Sequence, residues 1–355
     1  MGNLILDSLQ ISRFRAFEHL QIERFGRVNL VVGKNNVGKT CLLEALQLYA
    51  RSGSPALIAE LLGSRDESRL SNLKDPSVIN FTDLLPGLKY LFFGRRELAN
   101  LLETIQIGPV STPDKTLTIT VGGFSSYKTV DEQGPRFTIH RGKQSLVNFS
   151  LSSSTYPRLP LTELKGTICI SIQASGLIRR QVGELWDGIA LTNLEKEVLA
   201  ALQLIAPGTE GINLVGDPAS KTGERIPIVK ITDIDEPLPL RSLGDGMQRI
   251  FGIALALANA KDGILLIDEF ENGIHYTVQP DLWRLIFQVA RRLNVQVFAT
   301  THSWDCLEAF QKAAQEDTQQ DGVLIRLESK KGRIVTTLFD EQQLGIATRE
   351  QIEVR

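Results

Sequence analysis

Eight residues near the start of the chain have the types and spacing of a phosphate-binding loop. Residues 33–40, GKNNVGKT, fit the pattern G-x-x-x-x-G-K-[ST]. Backbone N–H groups of such a loop, with the N-terminus of the following helix, make a concave site for an anion. In this pattern Lys39 reaches the β- and γ-phosphates and the hydroxyl of Thr40 ligates Mg²⁺. The sequence therefore predicts that ATP and Mg²⁺ bind here, with nucleotide contacts from Gly33, Asn35, Asn36, Gly38, Lys39, Thr40 and Cys41.

The elements on either side of this loop are those that the pattern requires. Residues 27–32 predict a buried strand, and residues 40–50 predict a helix with apolar side chains on one face. The alternative is a glycine-rich turn that matches by chance, which the flanking strand and helix disfavour.

Two adjacent acids end a second apolar strand, residues 264–267. A buried strand needs no carboxylates, so Asp268 and Glu269 suggest a site at the edge of a sheet. Asp268 is placed to hold Mg²⁺, directly or through water. Glu269 is placed to orient and polarise an attacking water. The alternative is an acidic cap at the start of a helix.

A histidine follows the next apolar strand, residues 295–299. His302 could contact the γ-phosphate or the attacking water, or it could instead cap the helix that starts near Ser303. His275, a few residues after Glu269, could lie at the same site at the sheet edge.

A glycine-rich segment stands just before the helix that leads to the acidic strand. Gly244 and Gly246 at a helix start would expose backbone N–H groups to an anion, although an ordinary turn would have the same composition. About 230 residues separate Lys39 from Asp268, which is not the order of a compact phosphate-binding-loop enzyme.

With these motifs in this order, the chain resembles the ABC-type ATPases of the SMC, RecF and OLD kind. Residues 11–17 and 28–44 are similar to the N-terminal strand and Walker A region of that family. Residues 244–246 resemble its signature loop, residues 265–269 its Walker B motif with the catalytic glutamate, and His302 its switch histidine.

The resemblance implies that two ATP molecules are sandwiched in a head-to-tail dimer. The signature loop, here Ser242, Gly244, Asp245 and Gly246, would then act on the nucleotide of a second copy, while Glu269 and His302 catalyse hydrolysis. Gly244 stands where the family has a serine, with Ser242 two residues earlier. The family's glutamine loop points to Gln173 as a metal ligand; the alternative is a solvated loop residue.

The predicted fold class is α/β: an ABC-type P-loop NTPase head with a mixed sheet, an N-terminal antiparallel β part and an inserted β and helical region. We expect residues 1–50 and 227–355 to form the head, with residues 51–226 inserted between them. The insertion is predicted to be β-rich over 81–170 and helical over 178–206, with Thr192 capping the helix 191–205. Arg13 and Arg15 would lie on an edge strand, solvated or near nucleotide or DNA.

Composition limits the partners. The 355 residues carry a net charge of −2, so any DNA contact would need a local basic patch. Three separate cysteines, which we expect to be buried, favour a reducing compartment. No apolar run is long enough to cross a bilayer and no signal peptide is recognisable, so we expect a cytoplasmic protein without membrane contact.

These features favour an ATPase whose ATP-dependent dimerisation drives a DNA-related or anti-phage defence machine. OLD-type relatives carry a nuclease domain after the ATPase, whereas about 50 residues follow His302 here. We therefore expect a separately encoded effector, such as a nuclease. Two alternatives remain: a nucleotide-binding subunit of a transporter, and an ATP switch that does not hydrolyse.

Overall fold

The computed structural model describes residues 4–68, 78–96, 102–122, 136–150, 158–160, 164–217, 220, 223–317, 319 and 321–339. Its strands are β1 Leu9–Phe14, β2 Phe17–Ile22, β3 Val28–Val32, β4 Val78–Asn80, β5 Glu103–Gly108, β6 Leu117–Gly122, β7 Arg136–Arg141, β8 Gln144–Ser150, β9 Arg158–Pro160, β10 Cys169–Ile172, β11 Thr209–Gly216, β12 Arg225–Ile231, β13 Leu238–Pro239, β14 Ile264–Ile267, β15 Gln296–Thr300, β16 Gly322–Lys330 and β17 Arg333–Phe339. Its α-helices are α1 Lys39–Ala50, α2 Pro55–Gly63, α3 Phe81–Leu88, α4 Arg179–Ile189, α5 Glu195–Gln203, α6 Asp245–Asn259, α7 Gln279–Arg292 and α8 Trp304–Glu316.

The central sheet has the strand order β10-β14-β15-β3-β16-β17. Its first five strands are parallel, and β17 returns antiparallel to β16. The middle strands β14, β15 and β3 are buried along their whole length, and because alternate residues face opposite sides, the sheet is covered on both faces there. In β14, for example, Ile264 and Leu266 belong to the core that contains α1, while Leu265 and Ile267 belong to the core that contains helices α4 to α8.

A second, antiparallel sheet has the order β2-β1-β5-β6-β7-β8. Its apolar face and helices α1 and α2 share one core. The first two strands come from the N-terminal segment and the other four from residues 103–150. Residues 51–226 thus contribute strands to the antiparallel sheet and, through β10, to the central sheet. The domain boundaries at 50/51 and 226/227 remain a prediction.

The elements around the motifs confirm the expected order of strands and helices. The strands expected at 27–32, 264–267 and 295–299 are β3, β14 and β15. The hairpin β16–β17 follows α8. The predicted cap of the helix at 191–205 is wrong. The helix α5 begins at Glu195, and the Thr192 hydroxyl instead accepts from the Leu194 N–H and donates to the Ile189 carbonyl.

The edge-strand placement expected for Arg13 and Arg15 is also wrong, while their nearness to nucleotide or DNA stays a prediction. The strand β1 lies between β2 and β5, so it is not an edge, and both arginines are held in ion pairs with glutamates. Cys41 and Cys306 are buried as expected, but Cys169 is only half-buried because β10 is the edge of the central sheet.

Within the ranges described above, none of the helices combines the length and apolar character needed to cross a membrane.

Candidate functional site

Four parallel strands end at the same edge of the central sheet, and each is followed by a residue that the sequence singled out. The phosphate-binding loop follows β3, Asp268 follows β14, His302 follows β15 and Gln173 follows β10. Because the carboxyl ends of parallel neighbours meet at one edge, the topology alone brings these four segments together.

The phosphate-binding loop has space only for glycine at two positions. Gly33 has φ 148° and Gly38 has φ 95°, values that side chains disfavour. A Cβ on Gly33 would lie 2.5 Å from the carbonyl oxygen of Leu327, and one on Gly38 would lie 2.9 Å from the Phe17 ring. The loop is therefore held closely from two sides while Lys34, Asn35 and Asn36 stay exposed.

Lys39 is buried, and its side chain lies against the loop that precedes it. Its Nζ donates to the carbonyl oxygens of Gly33, at 2.7 Å, and Lys34, at 3.1 Å. Burial lowers the pKa of its ammonium, and the nearby carboxylates of Asp268, Glu269 and Glu271 oppose that shift. An incoming phosphate would add negative charge beside this cation and would stabilise its charged form.

Asp268 is held between two threonine hydroxyls. Thr40 donates to Oδ2 at 3.0 Å, and Thr300 donates to Oδ1 at 2.6 Å. Thr300 also accepts the backbone N–H of Glu269 at 2.9 Å, so it fixes both acids. Hydroxyl and carboxylate oxygens are the donors that Mg²⁺ prefers, so Thr40 and Asp268 fit a magnesium site.

Glu269 stands in a strained backbone conformation. Its φ is 47°, in the left-handed region that a non-glycine residue rarely occupies. Its Oε2 accepts from Asn272 Nδ2 at 2.7 Å, and its Oε1 lies 4.0 Å from His302 Nε2. Such strain persists where the surrounding structure enforces it and is frequent at active sites.

His302 joins the site rather than capping the helix that follows. Its Nδ1 lies 3.3 Å from Lys39 Nζ, and its backbone N–H donates to Glu271 Oε1 at 2.8 Å. The helix α8 is capped by Ser303, whose hydroxyl accepts from the Cys306 N–H. The imidazole therefore links the lysine of the phosphate-binding loop to the acids after β14.

Arg249 is a site residue that the sequence analysis missed. Its guanidinium donates to the carbonyl oxygens of Gln173 at 2.7 Å, Asp268 at 2.6 Å and Glu269 at 2.8 Å. Burial lowers its pKa against the attraction of Asp268, Glu271 and Glu269. The sequence signal that could have identified Arg249 is an arginine within the apolar run of α6. Thr300, Asn272 and Glu271 were missed because their roles depend on contacts between strand ends.

Gln173 lies at the predicted edge of the sheet, next to the site. Its carbonyl oxygen accepts from Arg249 and from the Gly176 N–H, and the residue is exposed. Its assignment as a metal ligand stays a prediction.

The signature loop, residues 242–246, lies at the start of α6. Ser242, Gly244 and Asp245 are exposed, and Gly246 packs so closely on Gly273 that a Cβ would lie 2.6 Å from its carbonyl oxygen. Gly244 has φ 95°, and within the described part of the chain no atom beyond its two neighbours lies within 4 Å of a Cβ added there. The loop thus presents an open surface next to the segment that follows Glu269.

Two other candidate residues, Cys41 and His275, have side chains outside this cluster of site residues. The Cys41 side chain is buried in the core shared by α1 and the antiparallel sheet, so any contact with a nucleotide would use its backbone N–H in the first turn of α1. His275 is exposed, pairs with the Thr277 hydroxyl at 2.9 Å and stacks on Tyr276.

The two bonds of Thr300 give a testable prediction. Thr300→Val keeps the shape but leaves the Glu269 N–H and an Asp268 oxygen without their partner. We expect about 1–3 kcal/mol of lost folding stability and weaker Mg²⁺-dependent nucleotide binding. Thermal unfolding with and without MgATP measures both effects. Thr300→Ser keeps the hydroxyl and should behave as wild type; equal losses in the two variants would contradict the assigned role.

Comparisons with known proteins are consistent with this geometry. Residues 208–305 match the family described as "AAA domain, putative AbiEii toxin, Type IV TA system". A protein of Helicobacter pylori named "ATP/GTP phosphatase" is 24% identical over 352 residues, which covers 88% of this chain and 89% of that protein. An uncharacterized protein of Methanocaldococcus jannaschii is 38% identical over 102 residues, covering 27% of this chain and 45% of that protein.

Solved structures show the fold. An Smc head bound to the C-terminal winged-helix domain of ScpA aligns with a TM-score of 0.51 at 10% identity, covering 98% of this chain and 99% of that one. The chain therefore has the fold of an Smc head. An Smc head with an extended coiled coil, bound to the C-terminal domain of ScpA derived from Pyrococcus furiosus, aligns at a TM-score of 0.50 and 10% identity, covering 98% and 99%. The predicted α/β head is thereby confirmed.

Proposed function

We propose that this head binds MgATP at the phosphate-binding loop and hydrolyses it to ADP and phosphate. One observation carries the proposal: Lys39, Thr40, Asp268, Glu269 and His302 meet at a single sheet edge. The relative from Helicobacter pylori, named ATP/GTP phosphatase, supports the same class of reaction over most of the chain.

Each residue has a role that follows from its position. Loop N–H groups and Lys39 would bind the phosphates, and Thr40 and Asp268 would hold Mg²⁺, which supplies charge neutralisation at the phosphate oxygens. The Glu269 carboxylate would orient the attacking water and accept its proton. His302, next to both Lys39 and Glu269, would donate a hydrogen bond to the γ-phosphate side of the site.

We propose further that a second copy completes the site, with its signature loop over the nucleotide. A phosphate-binding loop covers one side of a triphosphate, and a second helix N-terminus is suited to cover the other. The exposure of Ser242, Gly244 and Asp245 at the start of α6 supports this arrangement. Gln173 would reach the metal from the end of β10.

For its biological role, we propose an OLD-like ATPase whose ATP-dependent dimerisation controls a separately encoded effector, such as a nuclease, in DNA repair or phage defence. The family matched over residues 208–305 carries a toxin–antitoxin description, which favours defence. Smc heads in solved structures are bound to ScpA, so this fold accepts protein partners. DNA is a further candidate ligand.

A charge placed in the signature loop tests the second copy. Among the described residues, Gly244→Glu meets no atom beyond its chain neighbours within 4 Å of the new Cβ, but its carboxylate would repel the triphosphate of a partner. We expect ATP binding by the monomer to be retained and hydrolysis to fall by about tenfold or more. Gly244→Ala bears the same backbone strain without the charge and is the control.

Mixing this variant with Glu269→Gln makes the test specific. A mixed dimer pairs the intact phosphate-binding loop and Glu269 of one copy with the intact signature loop of the other. Random pairing should restore about a quarter of the wild-type rate, because half of the dimers then contain one intact site of two. A mixture that stays as inactive as its components would refute a site shared between copies.

A further inference from the structure

The turn between β1 and β2 lies directly against the phosphate-binding loop. A Cβ added to Gly38 would come within 2.9 Å of the Phe17 ring and 3.3 Å of the Ala16 Cβ. Gly38 precedes the first residue of α1, so this turn of the antiparallel sheet packs where the anion-binding helix begins. The position of the turn therefore bears on the position of the loop.

Arg15 in this turn is a buried ion-pair centre. Its Nε lies 2.5 Å from Glu44 Oε2, and its Nη1 lies 2.8 Å from Glu67 Oε2 and 3.0 Å from Oε1. Its side chain is 4% exposed and its φ is 47°. The backbone is fixed as well, since the Arg15 N–H donates to the carbonyl of Leu91 at 2.8 Å.

Glu44 belongs to α1, one turn after Thr40. Its side chain is 8% exposed, and its second oxygen accepts from Arg65 Nε at 2.7 Å. Burial raises the pKa of this carboxyl, and Arg15 and Arg65 oppose that rise. Arg15 and Arg65 thus offset the carboxylates of Glu44 and Glu67 inside the protein, and both arginines contact the helix α1 through Glu44.

We propose that Arg15 is a positioning residue for nucleotide binding, because its ion pair with Glu44 fixes the first turns of α1 and so the N–H groups that receive the phosphates. The inference rests on the proposed nucleotide site. Arg15 does not touch the residues assigned to water activation, so it should act on affinity rather than on the chemical step.

The physical reason is preorganisation. The N–H groups of a helix start attract an anion well only when they are already aimed at it. Removing Arg15 leaves Glu44 buried with Arg65 as the cation paired with it and with Glu67 as a repelling carboxylate, and α1 must shift or admit water to compensate. A small misplacement of the loop would weaken phosphate binding whichever base the nucleotide carries.

Arg13, in β1 two residues before Arg15, provides a control whose side chain is more exposed, at 41%. It also has a positive φ, 58°, and it also pairs with a buried glutamate, Glu103 at 2.5 Å. Glu103 belongs to β5, however, and not to α1. If general disturbance of the hairpin weakens nucleotide binding, substitutions of Arg13 and of Arg15 should both weaken it. If the position of α1 is the cause, only substitutions of Arg15 should weaken binding.

The experiment measures the dissociation constants of non-hydrolysable ATP and GTP analogues by calorimetry, with thermal unfolding recorded alongside. For Arg15→Gln we expect both constants to rise by about tenfold or more, and for Arg13→Gln to stay within about twofold of wild type. The rate at saturating ATP should fall by less than about threefold in Arg15→Gln. Glu44→Gln should match Arg15→Gln, and the double variant should lose little more.

Arg15→Lys keeps the charge but lacks the planar fork, so an intermediate loss is expected, and this variant serves if Arg15→Gln does not fold. Equal losses in the Arg13 and Arg15 variants, or wild-type affinity in folded Arg15 variants, would overturn the inference. Lys39→Ala distinguishes a failure of the inference about Arg15 from a failure of the proposed nucleotide site. If it loses binding while the Arg15 variants do not, only this inference fails; if it binds normally, the proposed nucleotide site fails with it.

Discussion

Lys39→Ala is expected to lower the affinity for ATP by about 100-fold or more, a loss of about 2.7 kcal/mol or more. The ammonium is the buried cation of the loop, and it lies beside His302 and the acids that follow β14. Without it, only Mg²⁺ and the loop N–H groups would offset the repulsion between the γ-phosphate and the carboxylates of Asp268, Glu269 and Glu271. Calorimetric titration with a non-hydrolysable analogue measures the loss directly.

Lys34→Ala is the matched control for this variant. Lys34 lies in the same loop and carries the same charge, but its side chain is exposed. We expect its affinity to stay within about threefold of wild type, since an exposed charge is screened by salt. Unchanged affinity in Lys39→Ala, or equal losses in the two variants, would show that the nucleotide does not bind through Lys39.

Glu269→Gln is expected to separate binding from hydrolysis. The amide keeps the size of the side chain but cannot accept the proton of the attacking water, so we expect the rate of phosphate release to fall by about 10²–10⁴-fold. ATP affinity should be retained, because Lys39 and Thr40 are unchanged. A dimer bound to ATP should then accumulate, since hydrolysis no longer releases it.

Phosphate-release kinetics measure the loss of hydrolysis, and analytical ultracentrifugation with ATP or ADP measures the accumulation of the dimer. Glu184→Gln, an exposed acid on α4 whose partner is Arg180, is the control and should behave as wild type. If Glu269→Gln hydrolyses ATP normally, another residue positions the water. If wild type and Glu269→Gln both bind ATP and release no phosphate, the chain is the non-hydrolysing switch.

Much of this site could be predicted because its signals are local. The glycine spacing of residues 33–40, the apolar strands and the acids after β14 are each contained in a few consecutive residues. The parallel order of β3, β14 and β15 then brings their ends together without further information. The position of His302 beside Lys39 follows from the same register.

Other parts could not be predicted because they depend on contacts between distant segments. Nothing local in residues 103–150 shows that their strands continue the N-terminal hairpin. The ion pair of Arg15 with Glu44 joins two elements through the core. Arg249 is an isolated charge in an apolar helix until the carbonyls of Gln173, Asp268 and Glu269 surround it. The predicted cap at Thr192 is wrong for a local reason: its hydroxyl bonds to Ile189 and Leu194, in the turn before α5.

The most direct test of a site completed by a second copy is the ATPase rate per chain as a function of protein concentration. Phosphate release by the wild-type protein should be low where ultracentrifugation finds monomer, and should rise to a plateau as the ATP-bound dimer forms. The rate of Lys39→Ala, which is expected to bind ATP poorly, serves as the blank, that is, the background rate of phosphate release. A rate per chain that is the same for monomer and dimer, or no phosphate release above the blank at any concentration, would contradict the account.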